Sequence, residues 1–216
     1  MGSPHWPLFG IRVRTPRLEL RYPDDEVVDA LAEVAAAGIH EPDAMPFSVP
    51  WTRQDPAVFG REYVRYFWRS RADTTPQSWN IHLAVFVDGE VVGMQDVFSR
   101  SHFAVTRMFE TGSWLGQRFQ GQGIGPEMRA AALHLGFAGL GAEVAETGCW
   151  EDNPRSEGVT RKLGYADNGW HVGDREGKAV RMKHFVMDRS RWETIRRDDI
   201  TIEGLDDGCL ALLGLG

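Results

Sequence analysis

The segment Gln120-Gly121-Gln122-Gly123-Ile124-Gly125-Pro126-Glu127 contains three alternate glycines between a strand-like run and a helix-like run. Because glycine has no Cβ to hold a ligand away from the main chain, successive N–H groups there can converge on an anion. Gly125 is predicted to cap the helix, with Pro126 at its first position and Glu127 as an acid in its first turn. Since a helix N-terminus carries partial positive charge, the segment predicts a phosphate-binding turn.

The spacing of the glycines separates this turn from other phosphate-binding loops. A P-loop requires Gly-Lys-Ser/Thr at its end, and Pro126 follows Gly125 here. A dinucleotide-binding fingerprint would need glycine in place of Pro126 and a βαβ unit before it. The pattern Gln/Arg-x-x-Gly-x-Gly/Ala, met by Gln120, Gly123 and Gly125, instead resembles the pyrophosphate loop of the GCN5-related N-acetyltransferases, the GNAT superfamily.

Four further segments resemble the RimJ/RimL-type branch of that superfamily and occur in its order. They are residues 15–20, 110–119, 153–156 and 161–165, within a resemblance that spans about residues 13–190. Residues 5–9 and 45–51 are also similar to a mycobacterial member of the branch described as a succinyltransferase. The resemblance implies an α/β (α+β) architecture, the GNAT fold, with a mixed, mostly antiparallel sheet and helices on both faces.

Hydrophobic periodicity and turn residues predict where the strands and helices lie. A helix over residues 24–37 begins at Asp24, and a second helix begins at Asp55-Pro56. The dipeptide Asp88-Gly89 predicts a type I′ turn between two strands. The strands are expected at residues 79–87, 90–98, 107–116, 143–149, 170–174 and 179–187, and the later helices at residues 126–138 and 156–163.

The chain is predicted to form a single domain, residues 1–216, with a core at about residues 13–190 and a C-terminal extension at residues 191–216. Residues 198–216 are expected to add an edge strand or an oligomer contact, which leaves a homodimer open. The net charge of −7 argues against a nucleic-acid partner, because phosphate binding favours a basic face. No apolar run approaches the ~18 residues of a membrane span, and no signal peptide is recognised. We therefore expect no membrane partner and a cytoplasmic location.

The resemblance implies a coenzyme A thioester, acetyl-CoA or succinyl-CoA, as the cofactor. No metal is expected, because the seven histidines and two cysteines form no metal-binding pattern. A main-chain N–H beside a bulge at Trp114 or Leu115 is expected to contact the thioester carbonyl. The expected cofactor-binding residues are Trp114, Leu115, Gln120, Gly121, Gln122, Gly123, Ile124, Gly125, Asn153, Ser156 and Arg161.

Acyl transfer to an amine requires the neutral amine, so a lysine of pKa ~10.4 needs a base more than an α-amine of pKa ~7.7 to 8.0 does. The resemblance implies a carboxylate base on the strand before the glycine turn, where Glu110 lies. A solvated glutamate at a strand end is the competing interpretation. Asp96 and Glu146 are further candidates on the neighbouring strands, whereas His82 is interpreted as a polar-face or core histidine.

The departing thiolate requires a proton, which many GNAT enzymes supply from a tyrosine at the position of Thr160. The resemblance to the RimJ/RimL-type branch implies that the serine of Asn-x-x-Ser, here Ser156, is the donor instead. The competing interpretation of Ser156 is a helix N-cap. The catalytic residues expected from the sequence are therefore Glu110 and Ser156.

The acceptor site is expected under the irregular segment at residues 39–53, which is rich in proline and aromatic residues. Phe47, Trp51 and Gln95 are the expected substrate-binding residues. A succinyl carboxylate would need a donor near the acyl end, such as His40, Trp51, Arg53 or Gln95.

The function expected is that of an acyl-CoA-dependent N-acyltransferase working by direct attack in a ternary complex. Its amine acceptor is a protein N-terminus, a lysine or a small amine, and the sequence leaves these three open. The alternative is a non-catalytic acyl-CoA-binding sensor or regulatory module. Thr160 gives that alternative weight, because the usual tyrosine is missing.

Overall fold

Nine strands form one sheet in the computed structural model, which describes residue 3 and residues 5–216. In chain order the strands are β1 (Arg12–Arg14), β2 (Leu18–Arg21), β3 (Trp79–Val87), β4 (Glu90–Ser99), β5 (Met108–Leu115), β6 (Val144–Trp150), β7 (Ala166–Arg175), β8 (Lys178–Asp188) and β9 (Thr201–Glu203). Their order across the sheet is β7-β8-β6-β5-β4-β3-β2-β1-β9. Every neighbouring pair is antiparallel except β5 and β6, which are parallel. The mixed, mostly antiparallel sheet expected from the sequence is confirmed.

Helices cover both faces of this sheet. They are α1 (Asp25–Ala36), α2 (Pro56–Ala72), α3 (Phe103–Thr106), α4 (Ile124–His134), α5 (Pro154–Lys162), α6 (Arg189–Glu193) and α7 (Asp207–Leu212). α1 and α2 share one buried cluster with Phe86, Met94 and Trp114 of the sheet. α4 packs against the other face, in a larger cluster that contains Phe109 and Leu115. We call these two sides of the sheet the α1 face and the α4 face.

The starts of α1 and α2 follow from their capping residues. The Asp24 carboxylate accepts a hydrogen bond of 3.1 Å from the N–H of Val27, and the Asp55 carboxylate accepts one of 2.9 Å from the N–H of Ala57. Pro56 stands at the start of α2, where its missing N–H removes no intrahelical bond. Both predicted helix starts are confirmed.

The helix after the glycine turn begins earlier than predicted. Gly123, with a φ of +79°, is the N-cap, and α4 begins at Ile124. Gly125 is therefore not the cap, and Pro126 lies inside the first turn rather than at the first helical position. The fold tolerates this because the first four N–H groups of a helix have no partner within it, so the proline removes no hydrogen bond.

Two expectations outside the glycine turn are confirmed. Asp88 and Gly89 have φ values of +49° and +83°, as a type I′ turn requires. The C-terminal residues supply an edge strand, because β9 pairs with β1 in antiparallel register. Cys209 and Leu213 are fully buried in the cluster of the α4 face. The hydrophobic core therefore continues past residue 190, where the sequence analysis ended it.

Candidate active site

A cleft opens in the sheet between the two parallel strands. Pairing between β5 and β6 is confined to residues 108–110 and 144–146. Beyond this point β5 continues to residue 115 along β4, and β6 continues to residue 150 along β8. Residues 111–115 and 147–150 therefore face each other without pairing and carry main-chain hydrogen-bonding groups on both edges. We call this opening the cleft, and its closed end lies at the paired residues Glu110 and Glu146.

The register of β5 determines which N–H groups point into the cleft. The N–H of Gly116 donates to the carbonyl of Val92 over 3.0 Å, so it points toward β4. Main-chain groups in an antiparallel ladder alternate in direction, so the N–H of Trp114 also points toward β4 and that of Leu115 points into the cleft. The bulge expected beside these two residues is absent, because residues 93–98 of β4 pair with residues 110–115 of β5 without any shift in register.

The glycine turn lies at the open end of the cleft, in front of α4. Residues 121–123 are exposed, and Gly121 and Gly123 have φ values of +74° and +79°. A Cβ at Gly121 would meet no atom within 4 Å, and one at Gly123 would meet only Nη2 of Arg17, at 3.5 Å. A Cβ at Gly125 would lie 3.4 Å from the side chain of Val159, so glycine at this position permits the close approach of α4 and α5. The turn is thus open to an anion at the N-terminus of α4.

Cations around the turn are held by specific partners. Arg17 donates to the carbonyl of Gln122 over 3.3 Å and to the buried carboxylate of Glu127. Arg155 donates over 2.6 Å to the side-chain oxygen of Gln120. Arg161, expected to bind the cofactor, has its guanidinium paired with Glu157 and Asp167 instead of with a group of the turn. No sequence signal links Arg17 to the turn, because more than a hundred residues separate them.

The amide of Gln120 anchors the turn to the rest of the protein. Its nitrogen donates to the carbonyls of Ile39 at 2.7 Å and Leu115 at 2.9 Å. This side chain therefore joins the end of β5 to the segment between α1 and α2. Gln120 thus links the glycine turn both to β5 at the edge of the cleft and to the segment between α1 and α2.

The start of α5 lies beside the glycine turn and presents a free hydroxyl. The side-chain oxygen of Asn153 accepts a hydrogen bond of 3.1 Å from the N–H of Ser156. Asn153 is thus the N-cap, and the interpretation of Ser156 as the cap is wrong. Within the described part of the chain, the Ser156 hydroxyl has no hydrogen-bond partner. Thr160 is buried, and its hydroxyl donates to the carbonyl of Ser156 over 3.0 Å.

Two carboxylates stand side by side at the closed end of the cleft. Glu110 and Glu146 are directly paired in the parallel register, on the α1 face of the sheet. Burial raises the pKa of Glu110, Arg100 opposes this, Glu146 adds to it, and His184 opposes it. Glu146 itself accepts a hydrogen bond of 3.2 Å from the amide of Asn168. Glu110 is therefore a half-buried carboxylate that takes up a proton more readily than a solvated glutamate.

A hydrogen-bonded chain of three side chains lies on the same face. His82 is fully buried, with its Nδ1 2.6 Å from the carboxylate of Asp96 and its Nε2 2.8 Å from the hydroxyl of Ser70. The second oxygen of Asp96 lies 3.8 Å from the position of a Cβ at Gly112, next to Glu110 along the α1 face. His82 is thus a core histidine as interpreted, and it also holds Asp96 in position.

Aromatic side chains cover the α1 face beside these carboxylates. The ring of Trp51 lies 5.0 Å from Phe47, 5.7 Å from Tyr63 and 6.0 Å from Trp114, measured between centroids. The segment that carries Trp51, residues 38–55, runs from the end of β5, where Gln120 binds the Ile39 carbonyl, to the end of β7, where Arg175 binds the Met45 carbonyl. We call it the cover segment.

Gln95 does not join this aromatic group, contrary to expectation. Its partner in the register is Ser113, so it lies on the α4 face, opposite to Trp51. It is fully buried, and its amide nitrogen donates to the carbonyls of Asp96 at 3.0 Å and Gly112 at 2.8 Å. It therefore cannot contact an acceptor bound under the cover segment.

Residues 17–166 match the family profile described as "Acetyltransferase (GNAT) domain". This match covers more than half of the chain. The protein belongs to the GNAT acetyltransferase family.

Solved structures of several acetyltransferases share the fold. RimL, a ribosomal-protein α-N-acetyltransferase in complex with coenzyme A, is 19% identical with a TM-score of 0.66, over 81% of this chain and 95% of that one. A spermidine N-acetyltransferase chimera from Vibrio cholerae is 15% identical with a TM-score of 0.66, over 82% and 98%. The self-immunity acetyltransferase MccE, in complex with acetyl-CoA and AMP, is 15% identical with a TM-score of 0.63, over 80% and 93%. At these identities the likeness shows a common fold.

The GNAT fold brings most of the predicted site residues together around the cleft. Leu115, the glycine turn, Asn153 and Ser156 line its open end, and Glu110 stands at its closed end. One buried residue beneath the cleft, Arg129 of α4, was not singled out by the sequence. It occupies an ordinary helical position in the sequence, so only tertiary structure identifies it. Among the described residues no helix is long and apolar enough to span a membrane, and no group of three His, Cys, Asp or Glu side chains is arranged to hold a metal ion.

Proposed function

We propose that this GNAT protein is an acyl-CoA-dependent N-acyltransferase of the RimJ/RimL-type branch, which transfers an acetyl or a succinyl group to a primary amine. One observation carries the proposal: the cleft opens at a bare glycine turn and ends at Glu110, a carboxylate of raised pKa. Acyl transfer from a coenzyme A thioester requires a binding site for the diphosphate and a base for the amine, and the two ends of the cleft are suited to these two tasks.

The residues at the open end of the cleft fit the donor. The exposed N–H groups of residues 121–123 and the N-terminus of α4 would hold the diphosphate, with Arg17 and Arg155 beside them. The pantetheine arm would pair with the free edges of β5 and β6, as an added strand does. The N–H of Leu115 is available to the polar groups of the donor, and a preorganised amide of this kind stabilises an oxyanion by about 3 kcal/mol.

The α1 face supplies the acceptor side of the reaction. Glu110 would take the proton of the amine directly or through a water molecule, and Asp96 is the alternative base on the same face. Trp51 and Phe47 of the cover segment would pack against the carbon chain of the acceptor. Acidic groups on this face attract a cationic amine before its deprotonation.

Direct attack is the mechanism that the side chains support best. The amine nitrogen bonds to the thioester carbon, the carbon–sulfur bond breaks and the base keeps the amine proton. The Ser156 hydroxyl passes a proton to the departing thiolate while it takes one from solvent, so the serine stays neutral. Cys149 is the only cysteine on the strands of the cleft, and burial raises the pKa of its thiol. A thiol that is hard to ionise is a poor nucleophile, so an acyl-cysteine intermediate is disfavoured.

The experiment that tests this function is thiol release from acetyl-CoA and from succinyl-CoA with a panel of amines. The panel contains a peptide with a free N-terminus, an N-blocked peptide with one lysine, and small amines such as a diamine. Turnover with any amine supports the proposal, and the preferred class identifies the acceptor. Tight donor binding without turnover on the whole panel would instead support the sensor module, which the buried Thr160 in place of a tyrosine favours.

A homodimer is part of the proposal and rests on the free edge of β7. This strand ends the sheet, and Trp170 and Val172 on it are each 59% exposed. An unprotected edge with exposed apolar side chains is a pairing surface for a second copy of the same strand. Sedimentation equilibrium of the full chain measures this directly, and a mass of one chain at micromolar concentration would contradict it.

A further inference from the structure

Arg129 lies beneath the cleft and touches both of the strands that form it. Its guanidinium donates over 3.1 Å to the hydroxyl of Thr147 on β6 and over 3.1 Å to the hydroxyl of Ser113 on β5. A longer contact of 3.4 Å joins its Nε to the side-chain oxygen of Gln95. Only 3% of Arg129 is exposed, so the charge is held in the interior where the two strands diverge.

This buried cation has no counter-ion. Its three side-chain partners are neutral, and across residue 3 and residues 5–216 no carboxylate lies within ion-pair distance of it. A buried charge destabilises a protein by several kcal/mol unless it is paired, so buried arginines normally face a carboxylate. The chain has an excess of acidic residues, yet none of them is used here. The position is therefore suited to an anionic group from outside the chain.

Two further polar groups are buried near Arg129. The hydroxyls of Thr111 and Tyr165 are buried, and within the described residues neither makes a hydrogen bond of good geometry, although the Tyr165 hydroxyl interacts with both Thr111 and Arg129. Burial raises the pKa of Tyr165, and the nearby Arg129 and Thr111 oppose the shift. A guanidinium and two hydroxyls without well-formed hydrogen bonds together match the several acceptor sites of a carboxylate.

We propose that Arg129 binds the terminal carboxylate of the acyl group, so that the preferred donor is the coenzyme A thioester of a dicarboxylic acid, of the succinyl class. This rests on the proposed function, because it assigns the acyl end of the same cleft. A donor anchored at the glycine turn directs its acyl group toward the closed end of the cleft, where Ser113 and Thr147 hold Arg129 between the strands. An acetyl group ends in a methyl and leaves the charge unpaired. A chain that ends in a carboxylate pairs it.

The test compares donors that differ only in this charge. Butyryl-CoA and succinyl-CoA have acyl chains of similar length and differ in the terminal carboxylate. With the full chain and one accepted amine, we expect kcat/KM for succinyl-CoA to exceed that for butyryl-CoA by about 10- to 100-fold, the range for hydrogen bonds to a charged group. Arg129→Gln is expected to abolish this ratio, and Arg129→Lys is expected to retain part of it.

A matched control separates acyl recognition from general damage to the site. Arg155 stands at the glycine turn, far from the acyl end, so Arg155→Gln is expected to reduce kcat/KM for both donors by the same factor. Its succinyl-to-butyryl ratio then stays at the wild-type value. A merely structural role for Arg129 would likewise lower both rates together, so a ratio that survives in Arg129→Gln overturns the assignment.

A binding measurement on the wild-type chain covers the case in which Arg129→Gln does not fold. Because a ligand that binds the folded state more tightly raises the melting temperature more at a given concentration, succinyl-CoA is expected to raise Tm more than an equal concentration of butyryl-CoA does. Thr147→Val, which removes one hydroxyl that holds the guanidinium, is expected to narrow that difference. Equal shifts with the two donors would overturn the role of Arg129 and leave the N-acyltransferase intact. Failure of every donor with every amine would overturn the proposed function instead.

Discussion

Glu110 is the side chain whose environment says most about the reaction. Its carboxylate is half-buried at the closed end of the cleft, and burial is the main cause of its raised pKa. A general base works best when its pKa approaches the working pH, because it is then both ionised and able to hold a proton. Asp96, on the neighbouring strand, is instead held by His82, which fixes its orientation.

Replacing Glu110 by glutamine is expected to lower kcat by about 10²- to 10⁴-fold, the usual contribution of a general base. In the wild type, kcat is expected to fall as the pH drops through the raised pKa, because the protonated carboxyl cannot accept the amine proton. Glu146→Gln is the matched control: it removes a like charge, lowers the pKa of Glu110 and moves the acidic limb to lower pH. If the Glu110→Gln enzyme keeps the wild-type pH–rate profile, Glu110 is not the base, and Asp96 is then the candidate.

The same pKa shift predicts a pH-dependent effect on stability. Folded Glu110 binds its proton more tightly than the unfolded chain does, so its contribution is present at acidic pH and is lost as the pH rises through the raised pKa. Glu110→Gln is therefore expected to raise Tm at neutral pH and to leave Tm unchanged at pH 4 or below. Thermal unfolding at the two pH values measures this, and equal shifts at both would contradict the role of burial.

His82 has a structural role that mutation can separate from catalysis. Its removal in His82→Ala opens a cavity and leaves the carboxylate of Asp96 without its partner, so we expect a loss of about 2 to 5 kcal/mol in the free energy of unfolding. Ser70→Ala removes only the outer hydrogen bond, and its expected cost is about 1 kcal/mol. Urea unfolding compares the two variants, and similar losses would show that the bond to Asp96 is of minor importance.

At the scale of the elements, one irregularity explains why Gln95 lies on the α4 face, away from the acceptor site expected for it. The turn at Asp88-Gly89 fixes a register that, if continued, would set His82 opposite Gln95. A bulge between Val85 and Phe86 shifts the pairing by one residue, so His82 faces Asp96 and Gln95 moves to the α4 face. The turn could be predicted from two residues. The bulge could not, because it depends on how both faces of the hairpin pack.

The glycine turn shows the same division between local and tertiary information. Its exposure and its position before a helix could be predicted from the spacing of the glycines and from Pro126. Gly125 and Gly123 are both compatible with an N-cap, and only the left-handed conformation of Gly123 decides between them. The contact with Arg17 and the divergence of β5 from β6 arise from pairing between distant parts of the chain, so local patterns contain no signal for them.

A pair of glycines that differ only in location tests the contact between the turn and the donor. Gly121 and Gly89 have φ values of +74° and +83°, and a Cβ at either would meet no atom within 4 Å. Alanine at each position therefore costs a similar backbone strain of about 1 to 2 kcal/mol. Gly121→Ala is expected to weaken coenzyme A binding at least about 10-fold, because the main chain must approach the diphosphate there. Calorimetric titration should find Gly89→Ala unchanged in affinity, and equal affinities in both variants would exclude the turn as the binding site.

At the scale of the whole molecule, the two ends of the chain complete the sheet. The family match covers residues 17–166, yet β1 precedes it and β9 follows it, and these two strands pair. Gly204, with a φ of +70°, lies so close to Gly10 that a Cβ there would be 1.9 Å from the Gly10 carbonyl oxygen. The C-terminal residues also pack against the helical turn that continues α4 over residues 135–139, where a Cβ at Gly139 would meet Ile202 and Leu205 at 3.0 Å. The helix that begins at the glycine turn is thus supported at its other end by residues outside the family match.

Removal of residues 198–216 is therefore expected to lower the free energy of unfolding of the whole domain. The deletion exposes the edge of β1 and takes Cys209 and Leu213, both fully buried, out of the core. Loss of a buried leucine side chain alone costs about 2 to 5 kcal/mol, so Leu213→Ala serves as a graded control in the full chain. We expect the deleted chain to unfold at a much lower urea concentration than Leu213→Ala, and to bind coenzyme A weakly because α4 loses its support. A deleted chain with the urea midpoint of the full protein would show that the GNAT domain stands without this extension.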